Sequence, residues 1–420
     1  MEKFIVRHTE KLEGTVTISG AKNAALPILA ACLLTEDICT ICNVPPLTDV
    51  IAMAELLRGF GAEVWFDQKE EKMTVQAKKL TTAEGSYETA GRMRASFLAA
   101  GPLLVRMKEA KLPLPGGCQI GSRPIDLHLK GFSAMGAKNK QVHGMVELWT
   151  KELVGGNIYL DFPSVGTTEN IMMAAAGAKG VTVIENAAAE PEICDLAQFL
   201  KKMGAKIVGD GTDTIVVTGV DVLHGATHTV MPDRIEAGTF LVAAAITRGN
   251  ILLRNIREEH LKPVLAKLAE SHVQTEMTSE GLRVARKERL CPVHIKTLPF
   301  PGFPTDMQAL FMSLAALAKG TSIITETVFE NRFIHAGELK RMGADITIDS
   351  RSAIVEGVEE LMGSKVRATD LRAGAALILS ALAARGETEI SDIYHIERGY
   401  DKIEEKLRAL GADIHREEFS

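Results

Sequence analysis

The stretch Pro113-Leu-Pro-Gly-Gly-Cys118-Gln-Ile-Gly-Ser-Arg123-Pro124-Ile125-Asp126-Leu127-His128 sets a thiol and a guanidinium five residues apart. Its prolines, glycines and serine exclude helix and central strand, so the composition predicts a long exposed loop. A loop cysteine fills no core, and a nearby arginine favours its thiolate, which equips Cys118 to act as acid, base or nucleophile. The same residues also fit a turn-rich connector with an incidental cysteine, since most loop residues carry no chemistry.

A second set of reactive residues stands just ahead of six apolar runs. They are Gly20-Ala-Lys22-Asn23, Arg92-Met-Arg94, Ser164-Val165-Gly-Thr-Thr168, Pro232-Asp233-Arg234, Phe303-Pro-Thr305-Asp306 and Thr369-Asp370-Leu-Arg372. Helix N-termini present free N–H groups and partial positive charge, so they suit anions. Capping alone accounts for Ser164, Asp233, Thr305 and Asp370. It does not account for cations at helix starts, so Lys22, Arg94 and Arg372 point to an anionic ligand. Two further arginines, in Phe329-Glu-Asn-Arg332-Phe and Tyr394-His-Ile-Glu-Arg398-Gly-Tyr400, suit planar recognition of phosphate or carboxylate, or else surface ion pairs. His395 reads as a loop or packing residue. The chain has no Walker A loop, no Gly-x-Gly-x-x-Gly after a strand and no His-Glu-x-x-His.

The elements that must hold these groups repeat. A charged amphipathic helix ends in Gly-Ala before a strand at Gly61, Gly136, Gly204, Gly343 and Gly411, and Ser271-His-Val fits as a degenerate copy. The spacings are 75, 68, 67, 72 and 68, so six units of about 70 residues fill the chain. Each unit also has a helix apolar nearly all round, at Ala24–Leu34, Ala95–Val105, Ile171–Ala178, Ala237–Ile246, Met307–Ala318 and Ala373–Ala384, and such helices must be buried on every side. This predicts two similar three-repeat domains with the apolar helices inside and the sheets flanking them. The break is expected near His228 to Pro232, with the N-terminal strand segment pairing with the second half.

Composition narrows the function. At 420 residues the chain is too long for one ordinary core. It is 46% hydrophobic but only 5% aromatic, so its core must be Ala, Leu, Ile, Val and Met. A net charge of -6 gives no global case for nucleic acid or anionic membrane. The start has no signal-peptide pattern, and the longest apolar run falls well short of the ~20 residues that span a bilayer, so a soluble cytoplasmic protein is expected. Six scattered cysteines form no disulfide framework, and Cys39-x-x-Cys42 sits in a β-rich run with no second pair to complete a zinc site.

Taken together, the sixfold unit, the Gly20-Ala-Lys22-Asn23-Ala start, Met93-Arg94-Ala-Ser96, the Cys118 loop through Arg123-Pro124, Phe303-Pro-Thr-Asp306-Met-Gln and Arg398-Gly-Tyr400 resemble the enolpyruvyl transferase superfamily. Within it the chain is similar to the branch that works on UDP-N-acetylglucosamine, because the shikimate branch has a different lysine-serine motif at the first helix and no such cysteine loop. The resemblance covers essentially the whole chain. It implies an α/β fold, a two-domain inside-out α/β barrel of six βαβαββ-like repeats. The domains would be 22–229, carrying the UDP-sugar side and the Cys118 lid loop, and 1–21 plus 230–420, the catalytic side, with the active site in the cleft between them.

The resemblance implies transfer of the enolpyruvyl group of phosphoenolpyruvate to the 3-hydroxyl of UDP-N-acetylglucosamine, with release of phosphate. This is the first committed step of peptidoglycan synthesis, and it needs no cofactor and no metal. The implied partners are these two small molecules, not nucleic acid or membrane, and the oligomeric state stays open. Cys118 would be the general acid and the thiol alkylated by fosfomycin, and Asp306 would hold and deprotonate the 3-hydroxyl. Lys22, Arg123 and Arg398 would cradle phosphoenolpyruvate, with Asn23, Arg332 and Arg372 alongside and Asp370 in support. Arg94, Arg123, Pro124, Ile125, Asp126, Leu127, Ser164, Val165, Asp306 and Val328 would bind the UDP-sugar. The resemblance also implies an aromatic near Leu98 and a lysine near Phe162, as some members have, and these two positions themselves carry leucine and phenylalanine here. Domain closure on UDP-sugar binding is expected, and an unchanged scattering radius would count against it. The alternatives are an enolpyruvyl transferase with a shikimate-type acceptor and a non-catalytic UDP-sugar-binding paralogue. A mere binder would have no need of Cys118 together with Asp306, Lys22 and Arg398.

Overall fold

The computed structural model describes residues 2–91, 93–114, 121 and 125–418. The chain divides into two compact units. Among the described residues, the first spans 20–114 and 125–231, and the second spans 2–19 and 232–418, with Gly121 grouped with it. Each unit has its own apolar core.

The amphipathic helices explain the repeat. Thr48–Gly59, Asp126–Ala134, Pro191–Lys202, Lys262–Glu270, Ala336–Arg341 and Ile403–Ala409 all stop in the same way. The residue after the cap lies in the left-handed region, with φ of 99° at Gly61, 90° at Gly136, 106° at Gly204, 92° at Gly343 and 98° at Gly411. The next N–H then returns to a carbonyl in the last turn: Ala62 to Leu57, Ala137 to Phe132, Ala205 to Leu200, Ala344 to Leu339 and Ala412 to Leu407. This is the Schellman cap, which satisfies carbonyls that the helix end leaves open and turns the chain into the next strand. The degenerate copy makes the same cap, with Val273 donating to Leu268 and His272 held at φ 61° where the other five units have glycine.

Four of the six apolar helices start earlier than their hydrophobic runs do, because polar or charged residues belong to their first turns, and the other two are entered through a 3-10 turn. They run Lys22–Ala31, Ala100–Met107 after a 3-10 turn Arg94–Ala99, Val165–Ala176, Arg234–Ile246, Gln308–Ala315 after a 3-10 turn Thr305–Met307, and Leu371–Ala383. Arg234–Ile246, Gln308–Ala315 and Leu371–Ala383 pack pairwise in the core of the second unit. Small residues permit this close approach. A Cβ at Gly238 would stand 2.6 Å from the Met307 side chain, so the glycine admits the turn that carries Asp306.

Each repeat adds one sheet. Among the described residues five sheets have four strands and one has three. In the third repeat the short strand Asn157–Tyr159 runs parallel to Val181–Glu185, which is followed by antiparallel Thr214–Thr218 and Lys206–Val208. The second repeat has three strands, and a single parallel bridge between Glu84 and Lys111 stands where its fourth would be. Strands far apart in sequence close both units. Thr227–Thr229 pairs with Ile38–Cys42 in the first unit. In the second, Glu13–Thr17 pairs with Asn250–Arg254, and Glu2–Arg7 lies between Glu387–Ser391 and Ile414–Glu418. No helix among the described residues is long and apolar enough to cross a membrane.

Candidate active site

In the second unit the fifth and sixth repeats converge on one carboxylate. Asp306 stands in the 3-10 turn Thr305–Met307 that leads into Gln308–Ala315. Its Oδ1 accepts from Arg332 Nη2 at 2.7 Å, and its Oδ2 accepts from Arg372 Nη2 at 2.9 Å and Nε at 3.2 Å. Both guanidiniums are 4% exposed and the carboxylate 26%. Burial alone would raise the Asp306 pKa, but the charges of Arg372 and Arg332 outweigh it and hold the carboxyl well below the usual carboxylate range. Asp306 is therefore a fixed anion whose remaining lone pairs can accept from a substrate hydroxyl.

The arginines are themselves held. Arg372 lies 5.3 Å from the Tyr400 ring centroid, and the Tyr400 hydroxyl pairs with Thr239 Oγ1 at 2.9 Å. Asp370 caps the helix Leu371–Ala383 by accepting from the N–H groups of Arg372 and Ala373 at 2.9 and 3.0 Å, which fixes the backbone from which Arg372 projects. The Nη1 of Arg372 has no hydrogen-bond partner among the described residues, although its side chain is almost fully buried. Although burial opposes it, the neighbouring Tyr400 favours the charged form of this guanidinium and keeps it cationic. Arg332 stacks near the Phe329 ring, 5.3 Å from its centroid, and its Nη1 donates to Thr305 Oγ1 at 3.0 Å. Arg398 follows the short helix Tyr394–Glu397 and is half-buried, and Val328 is half-buried on the loop after Thr321–Thr325. The His395 pKa is lowered, first by burial and then by Arg398.

The first unit carries the other candidate residues. Lys22 opens its helix without a side-chain cap, and its buried Nζ pairs with Asp49 Oδ2 at 2.9 Å. Asn23 is exposed. Ser164 caps the helix Val165–Ala176, its hydroxyl accepting from Thr167 N at 3.4 Å. Ile125 is buried at the cap of Asp126–Ala134, where Asp126 is exposed and Leu127 half-buried. Arg94, half-buried, opens the 3-10 turn.

Beside this group sits a neutral histidine. Asn170 Oδ1 accepts from Gly101 N at 2.8 Å, which fixes its amide so that Nδ2 donates to Phe97 O at 2.8 Å and to His128 Nδ1 at 3.2 Å. An accepting Nδ1 leaves the imidazole proton on Nε2. Burial and then the charge of Arg94 push the His128 pKa from 6.5 down to about 3.

Cys118, Arg123 and Pro124 lie outside the described residues. Leu98 is buried, and Phe162 is 44% exposed. Several residues beyond the sequence reading take part. Asp49 pairs with Lys22, and its only sequence signal is its place at the start of Thr48–Gly59. Glu326, 1% exposed, accepts from Thr305 and Thr297 and has no local signal at all. Among the described residues no group of three or more His, Cys, Asp or Glu side chains could hold a metal ion. The described cysteines Cys32, Cys39, Cys42, Cys194 and Cys291 are free thiols.

A carboxylate clamped between buried guanidiniums, on a repeated α/β scaffold with an apolar helix in every repeat, defines a class that handles anionic substrates, and the known proteins it resembles say which. The EPSP synthase (3-phosphoshikimate 1-carboxyvinyltransferase) model matches residues 6–407, and the chain belongs to this family of enolpyruvyl transferases. It is 58% identical over 414 residues, 99% of each chain, to UDP-N-acetylglucosamine 1-carboxyvinyltransferase 1 of Caldanaerobacter subterraneus subsp. tengcongensis. It is 55% identical over 418 residues, again 99% of each, to UDP-N-acetylglucosamine 1-carboxyvinyltransferase 2 of Carboxydothermus hydrogenoformans. Among solved structures, the enolpyruvyl transferase NikO from Streptomyces tendae matches with a TM-score of 0.89 and 27% identity, over 99% of this chain and 98% of that one. The family membership and fold class expected from the motifs are thereby confirmed.

Proposed function

We propose that this chain transfers the enolpyruvyl group of phosphoenolpyruvate to the 3-hydroxyl of UDP-N-acetylglucosamine and releases phosphate, in the cytoplasm, at the first committed step of peptidoglycan synthesis. The observation that carries the reading is the Asp306 clamp, an acceptor for a hydroxyl held between two buried guanidiniums. The full-length identity to named UDP-N-acetylglucosamine 1-carboxyvinyltransferases supports it.

The chemistry is addition and then elimination. The methylene carbon takes a proton from Cys118 while the sugar oxygen bonds to the adjacent carbon and gives up its own proton. Loss of a proton from the new methyl group and cleavage of the C–O bond to phosphate restore the double bond. Asp306 accepts from the 3-hydroxyl and aims it. Because the arginines make it a weak base, it takes the proton only as the new C–O bond renders that hydroxyl acidic. Lys22, Arg123, Arg332, Arg372 and Arg398 neutralise the phosphate and carboxylate, with Asn23 alongside, and are worth most in the transition state, where charge shifts to the leaving phosphate. Arg94, Ile125 to Leu127, Ser164, Val165 and Val328 hold the UDP-sugar.

The test is the choice of acceptor. Incubation with phosphoenolpyruvate and either UDP-N-acetylglucosamine or shikimate 3-phosphate should give an enolpyruvyl ether with the first alone, identified by NMR at O3. Product with the shikimate acceptor alone would overturn the proposal.

A further inference from the structure

Three of the six repeats share a device just past the strand that follows the buried helix, where the second repeat has Leu114 and the sixth Asp392. In the first, third and fourth repeats that position is Asn43, Asn186 or Asn255, each with φ between 54° and 58°. Each side-chain amide donates to a carbonyl beyond the parallel neighbour strand, at Val230, Leu160 and Ile18, over 2.7 to 2.8 Å. The fifth repeat puts Glu326 there. The polarity reverses, because a carboxylate only accepts.

Four donors converge on Glu326. Oε1 accepts from Thr297 Oγ1 at 2.8 Å and from the backbone N–H groups of Val328 and Phe329 at 2.8 and 3.1 Å. Oε2 accepts from Thr305 Oγ1 at 2.7 Å. A hydroxyl has one proton. Since Thr305 donates it to Glu326, its oxygen must accept from Arg332 Nη1, and Arg332 Nη2 is then free to reach Asp306. One buried carboxylate thus sets the direction of every bond in the chain from Thr305 to Asp306. It also holds the backbone of Val328.

We infer that Glu326 is a positioning residue for the transfer reaction, fixing Arg332 and Asp306 through Thr305. The inference rests on the reading of Asp306 and Arg332 given above. Departures from a fold's own repeated rule are expected where function requires them.

Glu326→Gln tests it with little change of shape. The amide nitrogen is expected to face Thr305, because the oxygen is needed by three donors on the other side. Thr305 must then accept from the amide as well as from Arg332, its own proton loses the carboxylate that fixed it, and the bond that steers Arg332 weakens. The expected result is a folded protein whose kcat falls about tenfold or more, as small misplacements of reacting groups allow. The acidic limb of its pH–rate profile should move upward, because Asp306 is less firmly held by Arg332. A role in stability alone would lower the melting temperature and leave that limb in place. Thr305→Val should reproduce the loss, and the double variant should be no worse than either single one, since all act through one chain. Wild-type kcat in Glu326→Gln, or additive losses in the double variant, would overturn the inference. A wild-type protein that releases no phosphate with the UDP-sugar would refute the proposed function instead. In that event the crystal structure of Glu326→Gln decides, with a displaced Arg332 guanidinium supporting the inference and an unmoved one overturning it.

Discussion

Acid should loosen the first unit through His128, by an amount the structure sets. The imidazole is 7% exposed, lies edge-on to Phe97 with ring centroids 5.2 Å apart, and accepts from Asn170. It also lies against Gly166, where a Cβ would stand 3.7 Å from its Cε1, so the positive end of the helix Val165–Ala176 faces it as well. Its pKa is depressed from 6.5 to about 3, so between these values the unfolded chain binds a proton that the folded one refuses. The contribution is therefore fully present above pH 6.5 and is lost as the pH falls toward 3. Each pH unit in that window is worth about 1.4 kcal/mol, so passing from pH 7 to pH 5 should remove about 2 kcal/mol. His128→Gln keeps an acceptor for Asn170 and cannot ionise. Urea unfolding of both proteins at pH 7 and pH 5 gives the answer, because every other titrating group, including buried His335, cancels in the difference. Whatever the variant costs at pH 7, that cost should shrink by about 2 kcal/mol at pH 5. A cost that stays the same at both pH values would refute the reasoning.

Other outcomes follow from single positions. His272→Gly should raise stability by about 1 kcal/mol in thermal or urea unfolding, because the left-handed cap conformation strains every residue but glycine, and a loss of stability would mean the imidazole makes a net contribution there. Glu169 is 3% exposed with an unpartnered Oε1, and burial followed by the charges of Glu192 and Glu190 raises its pKa well above 4.5. Its contribution is present below pH 4.5 and lost as the pH rises toward the raised folded value, so Glu169→Gln should gain on the wild type between pH 5 and pH 8, and parallel stability curves would contradict this. Arg372→Lys keeps the charge but cannot span the same two bonds to Asp306, so kcat/KM should fall by about tenfold or more, and wild-type kinetics would show that the fork geometry is immaterial.

The repeat was readable because caps are local. Gly-Ala after a charged helix carries its own conformational requirement, and even Ser271-His272 kept enough of the pattern to be placed. The apolar helices were readable because they lack a polar face, although their first turns were not, since Lys22 and Arg234 interrupt the apolar pattern. Individual site residues could be proposed from charge at helix starts. Their grouping could not be derived that way. Asp306, Arg332 and Arg372 come from three segments, and only tertiary packing brings both guanidiniums within 3 Å of the carboxylate. The unusual cation at Lys22 has a partner, Asp49, 27 residues further on, and no local rule anticipates it. Glu326 was missed because a lone glutamate after a β-branched strand resembles any exposed turn residue, and only its 1% exposure marks it out.

The most direct test of the central claim is phosphate release from phosphoenolpyruvate, with and without UDP-N-acetylglucosamine, in the wild type, Cys118→Ser and Asp306→Asn. The account expects release only when the UDP-sugar is present, and a fall of about a hundredfold or more in each variant, the scale of a lost proton-transfer group. Release without the sugar, or undiminished turnover in Asp306→Asn, would contradict it.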